Sequence, residues 1–71
     1  MIVPKRDEIR KRREMLGLTR WALAVKAGLP TNAIYRIERG AKNDGETTHP
    51  LRAKAIATAL GCELEDVFIC K

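Results

Sequence analysis

Aromatic side chains are scarce, with one Trp, one Tyr and one Phe in 71 residues. Strands are weakly signalled, so the expected core is Leu, Ile, Val, Ala and Met carried on helices. Cysteine is nearly missing too: Cys62 and Cys70 stand alone, and His49 is the single histidine. That excludes a disulfide framework and a Cys/His metal cluster, and it leaves two reduced thiols of the kind found in cytosolic proteins. No apolar run approaches the ~18 residues a membrane-spanning helix needs. Met1-Ile-Val-Pro4 is too short for a signal peptide and is followed by basic residues. The chain has no paired carboxylates in an apolar setting, no glycine-rich phosphate loop and no cysteine near a base. No enzyme, cofactor or small-molecule ligand is therefore expected. Repeats, low-complexity tracts and linkers are absent as well, so residues 1–71 read as one domain. A single core this small is marginal, which dimerisation or helix regularity would offset.

What the chain does have is positive charge, unevenly placed. The net charge is +5, but residues 1–42 hold eleven basic and four acidic side chains, whereas residues 43–71 hold three basic and five acidic. A polyanion would be met by the first part, with affinity falling steeply as salt rises. Charge alone decides little, because it also keeps small proteins in solution.

Local signals divide the chain into five helices and place it in the all-α class. The first runs from Pro4 or Asp7 to Leu16, with Asp7 and Glu8 at its positive dipole end, Ile9 and Leu16 on one face, and Gly17 as the stop. Thr19 caps a second, Arg20 to Ala27, whose buried edge is Leu23, Ala24 and Ala27. Leu29 packs in the turn, and Pro30 leads into a third helix, Thr31 to Arg39, closed by Gly40. Ala41 to Thr48 is turn chemistry. Thr48 is placed to cap a fourth helix with Pro50 in its first turn, an inward face of Ala53, Ile56, Ala57 and Leu60, and Gly61 as the stop. A short fifth, Glu63 to Phe68, adds Leu64, Val67 and Phe68 to the core. The apolar ends, Met1-Ile-Val3 and Val67-Phe-Ile-Cys70, suit a strand, a frayed end or a dimer contact, with frayed or packed ends favoured over a dimer contact.

Residues 20–39 carry the most information. Small Ala24 sits four positions before Gly28, which can take the left-handed turn that stops a helix, and Ile34 and Ile37 follow one helical turn apart. This is the pattern of two helices crossing steeply through a tight turn, the second standing proud and shaped for a DNA major groove. Trp21 clamps its helix by packing through Val25 at the core or edge, or else lies near the DNA backbone.

Thr19-Arg-Trp-Ala-Leu-Ala24 through Gly28, with Ile34-Tyr-Arg-Ile-Glu-Arg-Gly40, resembles the Cro/repressor-type helix-turn-helix family of phage and bacterial regulators. Arg13-Glu-Met-Leu-Gly-Leu18 resembles the end of that family's first helix. Ala57-Thr-Ala-Leu-Gly-Cys-Glu-Leu-Glu-Asp-Val-Phe68 resembles its last two. The resemblance implies a compact five-helix domain that binds double-stranded operator DNA, usually as a symmetric homodimer, in the cytoplasm of a bacterial host cell in association with the nucleoid. It places base reading on Thr31, Asn32, Tyr35 and Arg36, a phosphate grip on Arg20, and a pairing of Arg13 with Glu38 across the core.

The chemistry of these residues suits those roles. Arg36 can fork onto guanine, Asn32 can pair with adenine, and Thr31 can meet a thymine methyl or a phosphate. Tyr35 can reach the sugar–phosphate. Thr19, Arg10, Arg39, Lys42 and Asn43 complete the phosphate candidates, although the run Arg10-Lys-Arg-Arg13 also suits a solvated helix face.

The chain departs from the family where Arg20 replaces a common Gln, Pro30 replaces a polar cap, and Arg12 replaces an apolar residue. The stretch from Ala41 to His49 is longer than usual and carries Asp44 and Glu46, which repel phosphate. Two other functions use such a domain: the antitoxin of a toxin–antitoxin pair, and a protein-interaction module without DNA binding.

Overall fold

The computed structural model describes residues 1–40 and 47–71. Chain order is β1 (Ile2–Pro4), α1 (Arg6–Met15), α2 (Arg20–Lys26), α3 (Ala33–Arg39), α4 (Pro50–Leu60), α5 (Leu64–Val67) and β2 (Phe68–Cys70). The helices enclose one apolar core. It is built from Ile9 of α1, Leu23 and Ala24 of α2, Ile34 and Ile37 of α3, and Ala53, Ile56, Ala57 and Leu60 of α4, closed by Val67 and Phe68. Phe68 is the largest of the fully buried side chains, so the single phenylalanine anchors the end of the chain to the helices.

The expected helical class stands, and the two ends add a small sheet to it. β1 and β2 pair antiparallel, Ile2 with Cys70, Val3 with Ile69 and Pro4 with Phe68. The ladder continues past both strands, because the Lys71 N–H donates to the Met1 carbonyl at 2.7 Å and the Lys5 N–H to the Val67 carbonyl at 2.8 Å. Of the alternatives open for the ends, a strand is the one observed. Pro4 is tolerated because the outer side of β1 needs no N–H from it.

Helix boundaries follow local chemistry. The Thr19 hydroxyl accepts the Ala22 N–H at 3.0 Å, which caps α2 as expected. Gly28 turns left-handed, with φ +71°. The Leu29 N–H then reaches back to the Ala24 carbonyl at 2.9 Å and closes the turn between α2 and α3. α5 is shorter than Glu63–Phe68, because Glu63 and Asp66 form a reciprocal capping box and Phe68 has already turned into extended backbone.

Several expectations are corrected. α3 starts at Ala33, not Thr31: the Pro30 carbonyl accepts the Ala33 N–H at 2.9 Å, so Thr31 and Asn32 belong to a turn that precedes the helix. Thr48 does not cap α4. Proline occupies the first helical position, so the cap falls on the residue before it, and His49 Nδ1 accepts the Leu51 N–H at 3.1 Å. The Thr48 N–H instead donates to the Ile2 carbonyl at 2.8 Å. Its buried hydroxyl finds no hydrogen-bond partner among the described residues.

Leu16 is half exposed, not paired inward with Ile9. Left-handed Gly17 reverses the chain, the Leu18 N–H bonds the Arg13 carbonyl at 3.1 Å, and Leu18 takes the inward place. Met1 and Met15 are exposed, so methionine contributes nothing to the core. Trp21 is 60% exposed and Val25 51%, so this pair faces outward and Trp21 does not pack in the core. Residues 41–46, most of the expected Ala41–Thr48 loop, lie outside the described residues.

Candidate nucleic-acid interface

α3 is held by one side and presents the other. Ala33, Ile34 and Ile37 are buried, whereas Asn32, Tyr35, Arg36 and Arg39, at helical spacings of three, one and three, are exposed. Thr31 is exposed in the preceding turn. An N-cap asparagine ordinarily turns its side chain onto the first amides of its helix. Asn32 makes no such bond, and the residue is exposed.

The C-terminal half of α3 is anchored through Glu38. Arg13 Nε donates to Glu38 Oε2 at 2.8 Å and Arg13 Nη2 to Oε1 at 3.2 Å. Both side chains are 9% exposed. The third guanidinium nitrogen, Nη1, donates to the Leu18 carbonyl at 2.7 Å, so the arginine ties the end of α1 and the following turn to α3. Arg20 Nε stands 3.5 Å from Glu38 Oε1, its own side chain half exposed. One carboxylate therefore faces guanidinium groups from α1 and α2.

Beside this anchor lies a groove of about 190 Å³ lined by Arg6, Asp7 and Arg10 of α1, Arg20 of α2, and Tyr35, Glu38 and Arg39 of α3. Two cations approach the Tyr35 ring: Arg20 Cζ is 5.5 Å from its centroid and Arg39 Cζ 6.0 Å. Gly40, left-handed at φ +78°, has no Cβ, and the Arg6 guanidinium lies where one would stand. Four arginines thus line a cleft in which, among the described residues, Asp7 and Glu38 are the only carboxylates, and Glu38 is already engaged by Arg13.

A family model described as helix-turn-helix matches residues 9–67, from within α1 to the end of α5. The chain belongs to the Cro/repressor-type helix-turn-helix family. It is accordingly a DNA-binding regulator of that type. No curated protein sequence matches the chain.

Within this helix-turn-helix domain, α2 and α3 form the motif and α1 lies alongside it. Thr31, Asn32, Tyr35 and Arg36 fall together at the start and outer side of α3. Arg20 and Arg39 flank Tyr35, and Arg10, exposed and 3.8 Å from Glu14, lines the same groove from α1. Thr19 lies at the start of α2, its oxygen accepting the capping bond while its O–H proton stays available to donate. Lys42 and Asn43 lie outside the described residues. Arg6 is a groove residue that the sequence alone did not single out. Its signal, a basic residue beside Lys5 at the start of α1, is indistinguishable from a solvated helix end. Cys62 and Cys70 are unbridged thiols that do not line the groove, and burial pushes the Cys62 thiol up despite the opposing Arg12. Among the described residues no helix is long and apolar enough to cross a membrane.

Proposed function

We propose that the protein is a sequence-specific transcriptional regulator of the phage Cro or repressor kind, which inserts α3 into the major groove of an operator and acts by occupying it. The observation that carries this reading is the exposed stripe Asn32, Tyr35, Arg36 and Arg39 on a helix anchored from behind by its apolar side and by Glu38. In this reading Arg36 forks onto the O6 and N7 of a guanine and Asn32 pairs with the N6 and N7 of an adenine. Thr31 meets a thymine methyl. Arg20, Arg39, Arg10 and Thr19, with Lys42 and Asn43, take phosphates and set the register. A symmetric homodimer would read two half-sites about one helical turn apart.

Selection of bound duplexes from a random pool tests the proposal, and a palindromic product with strongly salt-dependent affinity is expected. On that product Arg36→Ala should cost about 1–3 kcal/mol and relax preference at one base pair, while Arg20→Ala weakens every sequence alike. Equal losses on all sequences for both variants would remove base reading from Arg36. Failure to enrich any duplex would favour a protein-interaction module.

A further inference from the structure

Tyr35 occupies an unusual place for a base reader. Its ring is flanked by the guanidinium groups of Arg20 and Arg39, at 5.5 and 6.0 Å from the centroid, both within the range of a cation–π contact. The two arginines come from different helices. Arg20 is also held at 3.5 Å from Glu38, whose own position is set by Arg13. Arg6 and Arg10 complete the groove from α1, and Arg6 reaches it over Gly40, where any side chain would collide with its guanidinium. Two guanidinium groups on one aromatic ring repel each other. The ring's electron-rich face offsets part of that repulsion, and an anion in the groove that both arginines line would offset the rest.

We propose that Tyr35 is a positioning residue, which holds Arg20 and Arg39 toward a backbone phosphodiester at this groove and reads no base. The inference rests on the DNA-binding reading above and deepens it. The groove is cationic on balance, four arginines against Asp7 and Glu38. It is built from three helices that the core already fixes, so the ordering left when the phosphate arrives is that of the exposed arginine side chains.

The test compares wild type, Tyr35→Phe and Tyr35→Leu on two probes, the duplex recovered by selection and a random-sequence duplex, between about 50 and 200 mM salt. Tyr35→Phe keeps the ring and should bind both probes within twofold of wild type. Tyr35→Leu removes the ring that both guanidinium groups lie against and should bind both probes about 5- to 30-fold more weakly. Its log-affinity against log-salt slope should be shallower by about 1–2, the signature of one or two fewer phosphates neutralised. Tyr35 is half exposed, so Tyr35→Leu should retain the wild-type melting temperature. If it does not, Tyr35→Met, an unbranched side chain without a ring, carries the test, and the same fall in slope is expected on both probes.

A Tyr35→Leu protein with an unchanged slope and an altered base preference overturns the proposal and makes Tyr35 a base reader. A Tyr35→Phe loss equal to that of Tyr35→Leu overturns it too, since the hydroxyl would then be the contact. Wild-type protein without salt-dependent binding to either probe overturns both this inference and the DNA-binding reading.

Discussion

Replacing Glu38 by alanine probes the joint that fixes α3 to the rest of the domain. Glu38 receives two hydrogen bonds from Arg13, at 2.8 and 3.2 Å, in a site where both side chains are 9% exposed. Removing the carboxylate leaves a desolvated guanidinium with the Leu18 carbonyl as its one remaining hydrogen-bond partner among the described residues. Breaking a buried pair in this way costs about 3–5 kcal/mol. A domain of this length holds roughly 4–11 kcal/mol in total, so Glu38→Ala should remove a large share of its stability. At about 4–8 °C per kcal/mol the variant should melt at least ~12 °C below wild type. Glu38→Gln keeps the volume but turns amide protons toward the Arg13 donors, so it should lose most of the same amount.

The controlling experiment is the double replacement Arg13→Met, Glu38→Leu, which removes both charges together. Exchanging a buried ion pair for apolar groups of similar size is often close to neutral. The Leu18 carbonyl then loses its donor, which adds about 1–3 kcal/mol. The double variant should therefore be more stable than Glu38→Ala, with a clear coupling between the two positions in urea-denaturation cycles. If Glu38→Ala and Glu38→Gln both melt within ~1 kcal/mol of wild type, or if the double loss equals the sum of the singles, the pair is solvated and α3 is held by its apolar face alone.

Thr48→Val should stabilise the domain by about 1 kcal/mol, because it deletes a buried hydroxyl that has no partner among the described residues and leaves the backbone bond to Ile2 intact. A loss of stability in urea would show that the hydroxyl is satisfied. Trp21→Ala should change stability by no more than about 0.5 kcal/mol, as for other surface replacements, and the wild-type emission maximum should be that of an indole in water. Blue-shifted emission would place the ring against the core. Iodoacetamide near neutral pH should label exposed Cys70 before Cys62, whose thiol is held up by burial, as mass spectrometry of a time course would resolve. Labelling at Cys62 first would mean that Arg12 outweighs burial there.

The elements legible in the sequence are those whose cause lies within a few residues. Thr19 caps α2 through its own hydroxyl. Gly28 and Gly40 end helices because only a residue without a Cβ takes their left-handed turns cheaply, and Ile34 and Ile37 share a face because helical spacing puts them there. The cap of α4 on His49 has an equally local cause, since Pro50 can only open its helix. Leu16 and Leu18 were harder, because the choice between them depends on how far Gly17 turns the chain.

In the candidate interface, the outward stripe of α3 is readable as a series of residue types, but the partners of those residues are not. Arg13 meets Glu38 across 25 steps of sequence, and only resemblance suggested the pair. Arg6 joins a groove with residues of α2 and α3, and Tyr35 acquires two arginine neighbours, one from each helix of the motif.

By itself, then, the sequence determined that Gly17, Gly28, Gly40 and Gly61 end helices, which stripe of α3 and α4 is apolar, and that positive charge gathers in the first part of the chain. These depend on backbone conformation, side-chain period and composition, which are local properties. The tertiary structure decided that the two ends pair as strands, that Trp21 faces water, and that four arginines share one cleft. Those outcomes depend on how separate elements pack against the core, where distance in space no longer follows distance along the chain.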